Sequence, residues 1–374
     1  MNHPLSAKQR DAFTLIELLV STVILVLLLL VMVSITDSTR KVWSYTSGRI
    51  EQFRDAREAF ETVTRNLSQA TLNTYWDYQR DSSGNPMTSG TNSYVRQSEL
   101  RFISGLATSL TGTNTTNTHA VFCQIPLGIV ANSGTYANMN NLLNTCGYFI
   151  EFGSDISSRP PFFGAMSNRP ALRYRFRLME MIEPSDSLEL YKRTSGKSVY
   201  TGGAPGQQYI GLEWFTTPLN KSPRPARVVA ENIVAMVLLP KLTSGDQAGN
   251  YTDASLAPDF FYSSTGVDTN GNPLLTVSGS DANLNPVNQL PPVMQVTLVA
   301  VDEASFNRFL PSVSDSSPAP AMPDLGLSNL FLHATNYEVD LKQLQTNLLN
   351  AKLSYRIFST NVSLKAAKWS RIQK

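Results

Sequence analysis

One stretch limits this chain more than any other. From Phe13 to Thr36 the sequence reads FTLIELLVSTVILVLLLLVMVSIT, and its only charged residue is Glu17. As a helix it would be roughly 36 Å long at about 1.5 Å per residue, enough to cross a hydrocarbon core. A secretory signal would carry a shorter apolar region, about 7–15 residues, followed by a small-x-small cleavage site. The residues that follow here, Val33-Ser34-Ile35-Thr36-Asp37, offer no such site. A plain membrane anchor fits the length and leaves Glu17 unexplained, because an acid at the bilayer centre costs about 2.5–3.5 kcal/mol on insertion scales. Flanking charge does not set an orientation: Lys8 and Arg10 precede the span, but Arg40, Lys41, Arg49, Arg54 and Arg57 follow it.

Composition narrows the remaining choices. The chain has 374 residues, 42% of them hydrophobic, which suits a long element plus a domain with ample core. Net charge is +2 and no Lys/Arg-rich block appears, so no broad field exists to attract nucleic acid. Three His and two Cys cannot supply a Cys/His zinc cage.

The residues around the start of the apolar run, Ala12-Phe13-Thr14-Leu15-Ile16-Glu17-Leu18-Leu19, resemble the prepilin-type cleavage and methylation motif of type IV pilins and type II secretion pseudopilins. The resemblance implies cleavage between Ala12 and Phe13 by a prepilin peptidase and N-methylation of Phe13. Glu17 then becomes the fifth mature residue, which guides filament assembly by pairing with a neighbouring subunit's terminal amine. Ala12 stands where the family usually has Gly. The implied partners are the peptidase, other prepilin-type subunits and an inner-membrane assembly platform. The implied location is a single-pass inner-membrane protein with its C-terminal domain in the periplasm.

Beyond Thr36 the periodicity predicts an amphipathic continuation to Tyr78, with Trp43, Ile50, Phe53, Ala56, Phe60, Val63, Leu67 and Ala70 on one stripe. A coiled-coil stalk is the bland alternative. Residues 80–118 read as surface loop with one short strand around Leu100–Ile103. Strand-like runs follow at Ala120–Ile125, Tyr148–Phe152, Ala171–Met181, Leu188–Arg193, Tyr209–Phe215, Ile233–Leu239 and Val293–Val301, with a last pair at Tyr355–Ser359 and Val362–Leu364. Strict alternation puts Leu172, Tyr174, Phe176 and Leu178 on one face of their strand and Arg173, Arg175 and Arg177 on the other, which reads as a solvated face. Glu338–Lys352 reads as a helix with a Leu341, Leu344, Leu348 stripe, and Asp302-Glu303 reads as a helix start. Residues 241–289 and 311–326 are polar and turn-rich, as long loops are.

The expected fold class is α+β: a long N-terminal helix packed on a mostly antiparallel sheet domain with large loop insertions. Its expected parts are a leader at 1–12, a transmembrane segment at 13–36, the amphipathic continuation at 37–78 and an extracytoplasmic, β-rich, pilin-like domain at 79–374. The segments AENIVAMVLLP (230–240), LPPVMQVTLVAVDEAS (290–305) and AKLSYRIFSTNVSLKAAKWSR (351–371) are similar in order and spacing to the J-type minor pseudopilins. They resemble more closely the Verru_Chthon cassette protein C family, prepilin-type proteins of Verrucomicrobia. That resemblance implies a pilin-like subunit encoded with companion prepilin-type proteins and hands over no known biochemical role; the expected function is a structural subunit, with no enzymatic activity and no cofactor.

Under the pilin topology Cys123 and Cys146 lie in an oxidising compartment. A disulfide between them would close a loop of roughly 24 residues, worth about 3 kcal/mol; the alternative is two buried free thiols. Signals for catalysis are thin. No Ser has Gly two residues away on both sides, and Ser195-Gly196-Lys197-Ser198 lacks the first Gly of a phosphate loop, where Tyr191 stands. His119 falls in a Thr/Asn-rich loop and His333 follows Phe331-Leu332, each a surface or core imidazole. Asp268-Thr269-Asn270-Gly271-Asn272 reads as a hairpin turn, with Asp268 a weak calcium ligand candidate lacking a closing Glu. A rival function is a membrane-tethered binding domain for a surface or carbohydrate that never polymerises. It would use Phe260, Phe261 and Tyr262, which could equally be a buried clamp.

Overall fold

The computed structural model describes residues 15–78, 86, 94–132, 134, 136, 139–156, 159–160, 162–163, 166, 169–191, 211–243, 256–269, 274, 284, 286–314 and 317–369. Within them the chain is an α+β protein with a long N-terminal apolar helix and antiparallel sheets. In order, the elements are α1 (Leu15–Ser68), β1 (Tyr75–Tyr78), β2 (Tyr94–Gln97), β3 (Phe102–Leu106), α2 (Ala107–Thr111), β4 (Thr116–Pro126), β5 (Leu143–Ser154) and β6 (Tyr174–Glu183). There follow α3 (Glu213–Leu219), β7 (Ala226–Glu231), β8 (Ile233–Lys241), β9 (Tyr262–Ser263), β10 (Val293–Val301), α4 (Glu303–Phe309), α5 (Tyr337–Asn350) and β11 (Tyr355–Ser363). The chain divides into two units, Met1–Glu51 and Gln52–Lys374.

In the second unit, the strands form a six-stranded sheet in the order β7-β6-β5-β4-β3-β9, a three-stranded sheet β11-β10-β8 and a two-stranded ribbon β1-β2, all antiparallel. The end of α1 serves both large sheets. Ala56, Phe60, Val63 and Leu67 are buried, the i, i+4, i+7 stripe that the periodicity requires. Phe60 meets Phe358 of β11 at a ring separation of 5.9 Å. Asn66 donates to the hydroxyl of Tyr148 on β5 at 2.6 Å. That hydroxyl donates to Glu180 on β6 at 2.5 Å, and the other oxygen of Glu180 accepts from Arg227 on β7 at 2.6 Å. A carboxylate with almost no solvent contact thus gains donors on three elements, the condition for burying a charge.

The helix stops at Ser68, ten residues short of the predicted end. Thr71 pairs with Gln124 of β4, Lys365 N–H donates to the Ser68 carbonyl, and the aromatic run from Tyr75 enters a strand instead. Trp43 of the predicted stripe is exposed, and the side chain of Ile50 lies outside the described residues. Strands near Ala120, Tyr148, Ala171, Ile233 and Val293 are present, while Tyr355–Ser363 is one continuous strand rather than two. The 80–118 region holds β2, β3 and α2, more structure than one short strand. Two predicted strands are helical. Leu188–Arg193 contains a 3-10 turn at Glu189–Tyr191. Of the predicted strand Tyr209–Phe215, Glu213–Phe215 begins α3, because Phe215 stacks on Phe122 at 3.9 Å and packing outweighs the β-propensity of Trp and Phe; Tyr209 and Ile210 lie outside the described residues.

The arginine row is not a solvated face. Arg173 is half exposed, but Arg175 and Arg177 are buried. Arg175 makes a bidentate pair with Glu303 at 2.6 and 3.0 Å, reaches Asn307 at 3.2 Å and lies 5.2 Å from the Phe306 ring centroid, all on α4. Arg177 donates to the carbonyls of Gly153 and Ser154. Burial alone would raise the Glu303 carboxyl, but its bonds to Arg175 and Asn232 and the nearby Arg173 charge outweigh it and lower the pKa. Asp302 caps α4, accepting from Ser305 N–H at 3.0 Å.

The Phe122–Phe215 stack has room because Gly147 lies opposite Phe122 on β5. A Cβ at Gly147 would fall 2.1 Å from the Phe122 ring. Gly147→Ala should therefore destabilise the protein by about 1–3 kcal/mol, as overpacking does. Urea unfolding of the full chain in detergent, followed by tryptophan fluorescence, would measure the loss.

Candidate functional site: the apolar helix and the buried polar groups

The stretch Leu15–Ser44 of α1 is long and apolar enough to cross a membrane, and none of it is buried. Leu15, Ile16, Leu18 and Leu19 head an almost unbroken series of exposed aliphatic side chains reaching Ile35. Ser21, Thr22, Thr36 and Thr39 turn their hydroxyls onto the helix's own backbone. Ser21 donates to the Glu17 carbonyl at 2.7 Å, Thr22 to Leu19 at 2.8 Å, Thr36 to Met32 at 2.8 Å and Thr39 to Ile35 at 2.8 Å. Such bonds satisfy the hydroxyls where no water is available. Glu17 sits in the first turn, where a negative charge complements the helix dipole. Asp37 and Lys41 form an ion pair at 2.7 Å, past the last of the uncharged residues at Thr36. Ala12 and Phe13, the expected cleavage and methylation positions, lie outside the described residues.

Cys123 and Cys146 are direct register partners on β4 and β5, both buried and both free thiols. Burial pushes the Cys123 thiol up to about 12. Cys146 is also raised, by burial first and then by Cys123 and Glu180. Neither forms the thiolate a nucleophile needs at neutral pH.

His119, expected in a loop, is fully buried on β4. The β4–β5 register slips between Asn117 and Val121, and Thr118 takes φ 53°. This bulge turns three consecutive side chains onto the backbone of β8. Asn117 donates to Val234 O at 3.0 Å, Thr118 Oγ1 accepts from Met236 N–H at 3.0 Å, and His119 Nδ1 accepts from Leu238 N–H at 3.0 Å. Because Nδ1 accepts, Nε2 carries the proton and donates to Phe331 O at 3.1 Å. No periodicity marks this seam; only the Asn-Thr-His run of polar residues inside a strand-like stretch hints at it.

The other candidates separate cleanly. His333 is exposed and pairs with Asp259 at 2.7 Å, a partner far away in sequence. Phe260 and Tyr262 are buried and Phe261 is half-buried, the clamp rather than an exposed binding patch. Phe260 packs 4.7 Å from the His119 ring, and Tyr262 donates to Gln289 O at 2.9 Å. Asp268 is described, but Asn270, Gly271 and Asn272 of its turn and the Ser195–Ser198 stretch lie outside the described residues. Among the described residues no three His, Cys, Asp or Glu side chains converge to hold a metal ion.

Burial lowers the His119 pKa to about 4. The unfolded chain, with an ordinary imidazole near 6.5, therefore takes up a proton that the folded chain refuses. The stabilisation is complete above about pH 6.5 and drains away as pH falls from there toward about 4. The carboxylate of Glu303, lowered in the fold, loses its contribution only below the ordinary carboxylate range of about 4. The urea midpoint should therefore drop between pH 7 and pH 4.5, and His119→Asn, which keeps an acceptor for Leu238 N–H, should flatten that slope.

No family model, curated protein or solved structure matches this chain.

Proposed function

We propose that this chain is a non-enzymatic minor pilin-like or pseudopilin-like subunit. A prepilin peptidase cleaves it between Ala12 and Phe13, Phe13 is N-methylated, and the mature chain joins a type IV pilus-like or type II secretion pseudopilus filament. The observation that carries the reading is an exposed apolar helix with Glu17 in its first turn, the one charged residue between Phe13 and Thr36, combined with the prepilin-like motif around it. In the filament that acid would meet the amine of a neighbouring subunit's Phe13, which would offset the cost of holding a carboxylate in an apolar layer. The aliphatic series from Leu15 to Ile35 would form the filament core, and the domain from Gln52 onward would face the periplasm. The resemblance read in residues 230–240, 290–305 and 351–371 to the Verru_Chthon cassette protein C and J-type families would fit a subunit made with companion prepilin-type proteins.

Two measurements test the reading. The N-terminal peptide, taken from membranes of cells with and without a prepilin peptidase, should begin at N-methylated Phe13 only when the peptidase is present. A chain that starts at Met1 in both samples would leave a tethered domain that does not polymerise. Glu17→Ala should leave membrane insertion intact and lower co-purification with companion prepilin-type subunits; unchanged recovery would remove the assembly role of Glu17.

The same topology puts the opposed thiols of Cys123 and Cys146 in an oxidising compartment. We propose that this pair, present as thiols in this structure, gives up two electrons and two protons to a disulfide oxidant during folding in that compartment, forming a Cys123–Cys146 S–S bond as the oxidant's S–S bond is reduced to two thiols. Intact mass of the membrane-extracted protein should then be lower by two hydrogens and recover on reduction after unfolding. Full alkylation of both cysteines without a reductant would show the thiols instead.

A further inference from the structure

The β1-β2 ribbon carries one face that the core does not use. Register pairs Trp76 with Arg96 and Tyr78 with Tyr94, and positions two apart on a strand share a face. Trp76 is 53% exposed, Tyr78 37% and Tyr94 50%. The two tyrosine rings lie 4.4 Å apart and their hydroxyls are hydrogen-bonded at 2.6 Å. Trp76 stands about 7 Å along the strand from Tyr78, so the three rings form a short strip.

The Trp76 end of the strip is cationic and held in place. Arg96 donates to Gln289 at 2.5 Å and to the Lys368 carbonyl at 3.2 Å, while Asn288 donates to the Arg96 carbonyl at 2.7 Å. Its guanidinium stays 5.5 Å from the Trp76 ring centroid. Beside it opens a hollow of about 210 Å³ lined by Thr74, Tyr75, Trp76, Arg96 and Lys368, with no acidic residue among the described residues of the lining.

The size and chemistry of this face choose among occupants. Three half-exposed aromatic side chains offer roughly 300 Å², given about 150–250 Å² for a whole one. A standard protein partner needs about 800 Å² on each side. Single-stranded nucleic acid stacks on aromatic rings too, but it needs a basic groove tracking its backbone, and among the described residues the lining cations, Arg96 and Lys368, sit at one end of the strip. A sugar chain needs less. Its ring faces pack on aromatic rings, its hydroxyls exchange hydrogen bonds with tyrosine and threonine hydroxyls, and a carboxylate suits a fixed guanidinium. We propose that the ribbon face binds an acidic polysaccharide. A uronate-bearing chain would lie along Trp76, Tyr78 and Tyr94 with one carboxylate at Arg96 and Lys368. This site is separate from the apolar helix and does not depend on filament assembly.

Affinity electrophoresis of the full chain in detergent, through gels containing alginate, dextran or oligothymidylate, tests the proposal. Alginate should retard the protein, dextran should not, and added salt should weaken the retardation. Trp76→Ala should weaken it about tenfold or more, as loss of a central aromatic anchor does. Lys368→Glu changes only an exposed side chain and should also weaken it, so a folding defect in the Trp76 variant would not decide the matter. Mobility unchanged by alginate, retardation that both variants retain, or equal retardation by oligothymidylate would overturn the proposal.

Discussion

The second unit depends on how the free edge of β8 finds its partners. A strand buried on both faces and paired on one side only leaves a row of backbone donors and acceptors that water cannot reach. Val234, Met236 and Leu238 have that problem, and a third sheet strand does not solve it. The β4 bulge supplies an amide, a hydroxyl and an imidazole in turn, so three side chains act as a neighbouring strand. The two large sheets are thereby joined at an edge. His119 has to remain neutral for the joint to hold, which makes this buried imidazole a structural rather than a catalytic group.

The last four turns of α1 complete the arrangement. Phe60 packs on the three-stranded sheet, while Asn66 reaches into the six-stranded sheet at the Tyr148–Glu180–Arg227 chain of hydrogen bonds. A buried carboxylate with donors from the helix and two neighbouring strands ties the helix to one register, since a shift would leave Glu180 short of partners. On the proposed reading, this is how a filament-forming helix would carry its domain.

Much of this fold was legible along the chain, and the exceptions share a cause. Val293–Val301 was readable as a short apolar run of strand-forming residues, and the predicted helix Glu338–Lys352, observed as Tyr337–Asn350, from its Leu341, Leu344, Leu348 stripe. The Ala56, Phe60, Val63, Leu67 stripe was readable for the same reason. Arg175 and Arg177 were misplaced because alternation of charge with aliphatic residues normally means one wet face. Here α4 brings Glu303 and Asn307 to Arg175, from more than a hundred residues away, and the guanidinium is buried beneath its partners. The α3 helix was misread because Trp214 and Phe215 favour strands until Phe122 and Gly147 provide a surface for stacking.

Local chemistry alone determined that one helix would be apolar enough to span a membrane, that Glu17 would be the one charge between Phe13 and Thr36, and that β-rich structure would follow. Those properties belong to contiguous residues, and the periods of 3.6 and 2 report them directly. Only the tertiary structure decided that His119 would cap a strand edge, that Cys123 would face Cys146, that Phe260 and Tyr262 would be buried and that Trp76, Tyr78 and Tyr94 would be left on the surface. Each of these depends on which distant segment arrives alongside, and no local period encodes that.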